Sequence, residues 1–241
     1  MNIHTLASSS KGNCFRISDG YAPLLIEAGI PWRQIQQGLD FRTNEIQACL
    51  ITHSHKDHSK AANDVMRAAI DVYTAKETAA FLGLNGHRLH EIEAGRQFNV
   101  GTWAILPFET EHDCEGSLGF LLYSNRTREK LLFLTDSYYC KYRFRGLTHI
   151  MIECNYAHDI LQQNIEAGAI DSAMKNRLLQ SHFSLDHVKQ FLRANDLSQV
   201  KEIYLIHLSA GNSDAERFRR EVMATSGRPV IVAGEQEEIK C

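Results

Sequence analysis

The chain has 241 residues, 44% of them hydrophobic and 23% charged, and carries a formal net charge of -3. A chain this long fits one large domain or two small ones with a core that needs no disulfides, and no apolar run approaches the ~18 residues of a membrane span. The pI near 6.5 supplies no basic field to grip long nucleic acid non-specifically, and Met1–Leu6 lacks a signal-peptide pattern, which predicts a cytoplasmic protein.

Residues 2–28 read as a strand meander: Ile3–Leu6, Cys14–Ile17 and Leu24–Ile26, with Ala7–Asn13 as a small polar loop. Trp32, Ile35 and Leu39 recur at helical spacing after Pro31, predicting a helix over 32–39. Ala48–Ile51 is the short apolar run of a buried strand. A helix over 61–69, a strand over 71–74 and a helix over 75–82 continue an α/β rhythm. From residue 96 the alternation is of strand type, with Phe98–Val100, Trp103–Leu106, Leu118–Tyr123, Lys130–Leu134 and Thr148–Glu153 as candidates. Residues 158–180 read as helical with a break near Gly168, followed by an amphipathic helix over Leu185–Leu192. A strand over Glu202–Ile206, a helix over Asp214–Met223 and a strand over Pro229–Val232 close the pattern, and the acidic tail Glu235–Glu238 is expected to fray. The sum is an α+β chain: two sheets with helices outside, a four-layer αββα sandwich forming a single domain over 1–241. The six cysteines are scattered without a C-x-x-C pair and read as reduced, mostly buried thiols.

One stretch departs from ordinary composition. His53-Ser54-His55-Lys56-Asp57-His58 holds four good metal ligands in six residues. At the His and Asp frequencies of this chain, such a pattern arises by accident in roughly one or two cases per thousand chains of this length. Side chains at 53, 55, 57 and 58 cannot all point one way along a strand, so the run is expected to be a loop at a strand end that curls around metal. Four donors exceed what one open catalytic ion takes from one segment, which implies two ions. Partners stand beyond later strands: His112, Asp136 and His207, with His182 before a helix. A carboxylate at Asp136 is suited to bridge two cations.

The run His53-x-His55-x-Asp57-His58, together with His112, Leu134-Thr135-Asp136 and His207 in that order, resembles a hydrolase of the metallo-β-lactamase fold. Leu6–Asn13, Ile152–Asn155 and Ile203–Ser209 resemble the YycJ (VicX) group within it, with ribonuclease Z beyond. The resemblance implies that His53, His55 and His112 hold one ion, that Asp57, His58 and His207 hold the other, and that Asp136 bridges. It implies zinc or manganese. It assigns catalysis to Asp57 as proton acceptor and to His182 as hydrogen-bond or proton donor, with Glu153 orienting His182. The family's usual Asp before Ala28-Gly29 is replaced by Glu27, which is expected to alter support of the ligand loop.

The resemblance implies a phosphodiesterase. The low pI favours cyclic mononucleotides, the substrates of the phage anti-Pycsar enzymes of this fold, acting as homodimers; a YycJ-like 5′-3′ DNA exonuclease is the alternative. A carbon-ester or thioester hydrolase, such as a lactonase or glyoxalase II relative, is a further reading, against which Glu153 and His182 stand. For substrate contacts, Ser10 and Asn13 in the small polar loop offer phosphate contacts. Tyr138–Arg145, with Tyr138 and Arg143 foremost, offers base stacking and phosphate binding, or else a helix with one buried aromatic face.

Overall fold

The structure is a computed structural model that describes residues 1–234, without the side chains of residues 172–174; the tail Glu235–Glu238 and Cys241 lie outside the described residues. Six strands form the first sheet in sequence order: β1 (Asn2–Ser9), β2 (Gly12–Ser18), β3 (Leu24–Ile26), β4 (Ala48–Leu50), β5 (Asp71–Ala75) and β6 (Leu89–Ile92). Seven form the second, also in order: β7 (Phe98–Val100), β8 (Trp103–Glu109), β9 (Leu118–Ser124), β10 (Lys130–Leu134), β11 (His149–Glu153), β12 (Glu202–Ile206) and β13 (Val230–Val232). Each sheet starts as an antiparallel meander and continues as parallel strands, from β3 onward in the first and from β10 onward in the second.

The helices are α1 (Trp32–Gly38), α2 (Lys56–Ser59), α3 (Ala62–Arg67), α4 (Lys76–Leu82), α5 (His158–Glu166), α6 (Ser172–Ser181), α7 (Leu185–Arg193) and α8 (Ala215–Ser226). Three apolar layers separate the four structural ones. Phe15, Ile17, Trp103, Phe120 and Phe133 fill the space between the sheets. Ile35 and Val65 from the helices meet Cys49 and Val72 under the first sheet. Val188, Leu192, Phe218 and Val222 cover Ile150, Ile152 and Leu205 outside the second. Each layer exists because alternate strand residues point to opposite faces, so a strand such as Leu131–Leu134 is apolar throughout and buried on both sides. The expected four-layer sandwich is the observed one.

Three local expectations change. Ala7–Ser9 and Gly12–Asn13 belong to strands, and only Ser10 and Lys11 turn; pairing to Gly12, Asn13 and Cys14 overrides the small polar composition, with a register shift between Thr5 and Ala7. Leu89–Ile92 adds an edge strand that no alternation announced. Tyr138–Arg145 is neither helix nor strand. The five described cysteines are free, and all but Cys114 are buried. Among the described residues no helix is long and apolar enough to cross a membrane.

Candidate metal centre

Loops leaving the C-terminal ends of the strands of both sheets converge between them, the usual place for a site in sheets of parallel strands. His53 and His55 lie in extended chain two residues apart and therefore face the same side. The expected loop then becomes one helical turn, α2, on which Asp57 and His58 follow. The second sheet supplies His112 three residues beyond β8, Asp136 two beyond β10 and His207 immediately after β12. The structure brings all seven together in two groups that share Asp136. His53, His55, His112 and Asp136 form one; Asp57, His58, Asp136 and His207 form the other; within each, one donor atom per residue lies within 4.8 Å of every other.

In the first group, His55 Nδ1 is 3.1 Å from His53 Nε2 and 3.1 Å from His112 Nε2. Those two Nε2 atoms are 3.5 and 3.6 Å from Asp136 Oδ2. In the second, Asp57 Oδ2 is 3.1 Å from His207 Nε2 and 3.4 Å from His58 Nε2. His58 Nε2 is 3.3 Å from Asp136 Oδ2, and His207 Nε2 is 3.6 Å from Asp136 Oδ1. Donors ~2.1 Å from a tetrahedral ion sit ~3.4 Å apart, so both groups have the spacing of a metal cradle.

The proton inventory points the same way. His112 Nδ1 donates to the Ser181 carbonyl at 3.0 Å. His53 Nδ1 is 2.9 Å from Thr52 Oγ1, whose own proton goes to Glu27 Oε1. His58 Nδ1 is 3.2 Å from Glu27 Oε1, and His207 Nδ1 is 3.2 Å from Glu153 Oε1. With an acceptor beyond each Nδ1, a ring that is neutral turns its Nε2 lone pair inward, as His53 and His112 do. His55 Nδ1 can donate to at most one of the two Nε2 atoms it meets at 3.1 Å, so a cation among the three satisfies them better than a single proton does. Two divalent ions fit this donor set.

Electrostatics divide the histidines. Burial, reinforced by neighbouring histidines, holds His53 and His112 below the usual imidazole value and so in the neutral, metal-binding form. Burial also opposes charge on His58 and His207, but Asp136 with Glu27 raises the first, and Asp136 with Asp57 and Glu153 pushes the second up to about 10. Burial likewise works against the Asp57 and Asp136 carboxylates, yet the same histidines hold both well below the carboxylate range. Protons on His58 and His207 thus answer carboxylate charge that a divalent ion would answer instead.

Two buried carboxylates brace the rings. Glu27 is fully buried and reaches His58 directly and His53 through Thr52, one ring from each group. Glu27 has a left-handed backbone, φ 68°. Glu153, also fully buried, places Oε1 2.6 Å from His182 Nδ1 and accepts from the Phe183 and Ser137 amides through Oε2. It thus holds one carboxylate oxygen against both His182 and His207. The His182 ring stacks on His207 at 5.4 Å and meets His112 edge-on at 5.9 Å.

The proposed substrate contacts fall elsewhere. Asn13 is 1% exposed, and its Nδ2 donates to the carbonyls of Ser9 and Asp57 and lies 3.4 Å from His58 Nε2. It ties the ligand turn to the β1–β2 hairpin. Ser10 is exposed at the hairpin tip. Tyr138 is 39% exposed, two residues from Asp136. Arg143 lines a cavity against Tyr142 and Phe144 that includes none of the seven clustered residues. Sequence reading missed Asn155, whose Nδ2 donates to the His207 carbonyl at 3.0 Å, and Ser8, whose Oγ accepts from the His207 amide at 2.9 Å. Both lie inside motifs noted for other reasons. It also missed Asp113, 3.2 Å from His112 Nε2 and paired with Arg177 of α6.

Comparison with known proteins agrees with this geometry. Residues 24–208 match the β-lactamase superfamily domain. Exodeoxyribonuclease WalJ of Streptococcus pneumoniae serotype 2 (strain D39 / NCTC 7466) is 27% identical over 228 residues, covering 88% of this chain and 82% of the relative. Exodeoxyribonuclease YycJ of Bacillus anthracis is 25% identical over 259 residues, covering 99% and 95%. The metallo-β-lactamase fold protein YhfI of Bacillus subtilis superposes with a TM-score of 0.72 over 96% of this chain and 95% of its own, at 13% identity, a likeness of fold. The domain match, the nuclease relatives and the doubled His/Asp cluster converge: the chain belongs to the β-lactamase superfamily, as a metal-dependent hydrolase of the metallo-β-lactamase fold.

Proposed function

We propose that this protein is a phosphodiesterase that degrades DNA from an end, with two zinc or manganese ions held in the paired cluster. The observation that carries this reading is the Glu153–His182 couple beside the cluster. Glu153 holds the His182 ring beside both ligand groups, where a proton donor can assist departure of an alkoxide from phosphorus. Relatives named as exodeoxyribonucleases that match the chain nearly end to end support the same choice.

In this reading His53, His55 and His112 hold one ion, Asp57, His58 and His207 the other, and Asp136 lies between. The bound ions supply Lewis acidity toward the phosphate and an activated water at neutral pH. His182 then serves the leaving side. Its Nδ1 is committed to Glu153, which leaves Nε2 to donate to the departing oxygen. Burial lowers the pKa of His182, but the Glu153 carboxylate more than offsets this and raises it, which favours the donor form. Asp57 is placed to serve as a ligand to the second ion and, beside it, as the acceptor of the attacking water's proton.

A cyclic mononucleotide substrate, cleaved by a cytoplasmic homodimer, is the second reading, favoured by the acidic pI. A side-by-side assay of cyclic UMP, cyclic CMP, cyclic AMP and 5′-phosphorylated DNA with the metal-loaded protein separates them. Release of mononucleotides from DNA alone is expected. Turnover of only the cyclic nucleotides refutes the exonuclease reading.

A further inference from the structure

Outside the second sheet, away from the seven clustered residues, lies a cavity of about 560 Å³. Its lining includes the half-buried Tyr142 and the buried Phe108 and Phe144, with Phe108 packed at 5.5 and 5.2 Å against the other two rings. Lys130, Arg143 and Arg145 also line it. Arg143 and Arg145 are exposed, and among the described residues none of these three cations forms an ion pair. Arg143 donates to the Tyr142 carbonyl, and Lys130 donates to the Arg145 carbonyl, both neutral acceptors. The one acidic lining residue, Glu109, is already paired with Lys141 at 3.1 Å. Lys130, Arg143 and Arg145 thus gather three positive charges along one cavity, with Asp196 near Arg145.

Part of the cavity lining belongs to the chain that leaves the metal centre. The segment that roofs it leaves Asp136, passes the exposed Tyr138 and Tyr139, and reaches Arg143 and Arg145. β8 and β10 both run antiparallel to β9, so Glu109 sits at the same end of the sheet as Asp136. Lys130 opens β10 at the opposite end, six residues or about 20 Å away. The lining therefore extends from the level of the cluster to the far rim of the sheet.

We propose that this groove holds the single strand of DNA that continues away from the phosphate being cleaved. The inference rests on the exonuclease reading and names where its substrate runs. Cations spaced along a groove follow a phosphate backbone, and the half-buried Tyr142 beside them offers a ring edge or face to a base of any kind. A duplex hides its base faces, so the occupant is the unpaired strand.

The test uses the metal-loaded full chain and 5′-phosphorylated single-stranded oligonucleotides of graded length, from a dinucleotide to a 12-mer. For the wild type, KM should fall with length and level off once the groove is filled. In the double variant Arg143→Ala/Arg145→Ala, KM for the 12-mer should rise about tenfold, with the change on KM rather than kcat, and the length dependence should flatten. With ~0.7 of log-log salt slope per phosphate contact on single strands, the slope of 1/KM against salt should weaken by about 1.4. Arg143→Lys/Arg145→Lys should recover most of the loss, which separates charge from folding. A length dependence and salt slope that survive in the alanine variant refute the groove while leaving the exonuclease standing. A wild type that hydrolyses bis-p-nitrophenyl phosphate but no DNA refutes the exonuclease reading and this inference with it.

Discussion

Gly29 sits directly behind the ligand turn, and replacing it with alanine should remove one ion and spare the other. A Cβ built there would lie 1.7 Å from the Asp57 carbonyl oxygen, 2.2 Å from its carbon and 2.8 Å from the Asn13 nitrogen. Side-chain carbons do not approach other atoms closer than 3.0 Å, so the Asp57 carbonyl must retreat by about 1.3 Å. The turn has little room to comply. The Ala28 amide donates to the His58 carbonyl, the Ala61 amide to the Ala28 carbonyl, and the Gly29 amide to Asn13, each at 2.8 Å. Metal sites tolerate ligand displacements of only about 0.2 Å, so Asp57 and His58 should lose their hold, with affinity at that site falling at least 10- to 100-fold. His53, His55 and His112 do not share this contact. Elemental analysis after dialysis should find about one ion per chain for Gly29→Ala against two for the wild type, with circular dichroism showing an unchanged fold. Two ions of wild-type affinity in the variant would refute the packing argument and the division of ligands built on it.

Other substitutions separate the remaining roles. His182→Ala should reduce turnover of bis-p-nitrophenyl phosphate about 10²- to 10⁴-fold, the range for loss of a general acid, with both ions retained; metal loss in step with activity would make His182 a ligand instead. Glu153→Gln keeps the shape but offers one carbonyl to four donors, the Nδ1 atoms of His182 and His207 and the amides of Ser137 and Phe183. It should cost about 1–3 kcal/mol of stability by denaturant unfolding and also weaken metal binding through His207, whereas His182→Ala should not. Stripping the ions with chelator should lower Tm by about 5 °C or more for each ion present at 100 times its Kd, since binding at that level stabilises by about 2.7 kcal/mol. An unchanged Tm would count against a cradle filled in the native protein.

The fold and the ligands were legible for different reasons. Strands such as Phe98–Val100, Lys130–Leu134 and Glu202–Ile206 carry their own signal in apolar runs bounded by polar residues, and the structure returns the same bounds. The seven clustered residues are legible because six sequential positions of the His53–His58 run hold four of them and the other three follow strands. What supports them is not legible. Ser8 meets His207 across 199 residues, and Thr52 acts only because Glu27 lies behind it. Glu27, Asp136 and His207 all have left-handed backbones, at φ 68°, 43° and 54°. A non-glycine residue in that region costs about 1–3 kcal/mol and is held there by its surroundings, which composition does not reveal. Leu89–Ile92 was missed because an edge strand buries too little to require alternation.

The similar wiring of the two sheets gives the ions a mechanical duty. The first sheet and its loops contribute His53, His55, Asp57 and His58; the second contributes His112, Asp136 and His207. Neither proposed ion can fill its shell from one half of the chain, so each works as a rivet through the seam. A break in the exposed connection Glu93–Gln97, between β6 and β7, would leave two fragments that each keep a whole sheet. Their reassembly should then follow the concentration of free metal, with chelator acting as a solvent for the joint.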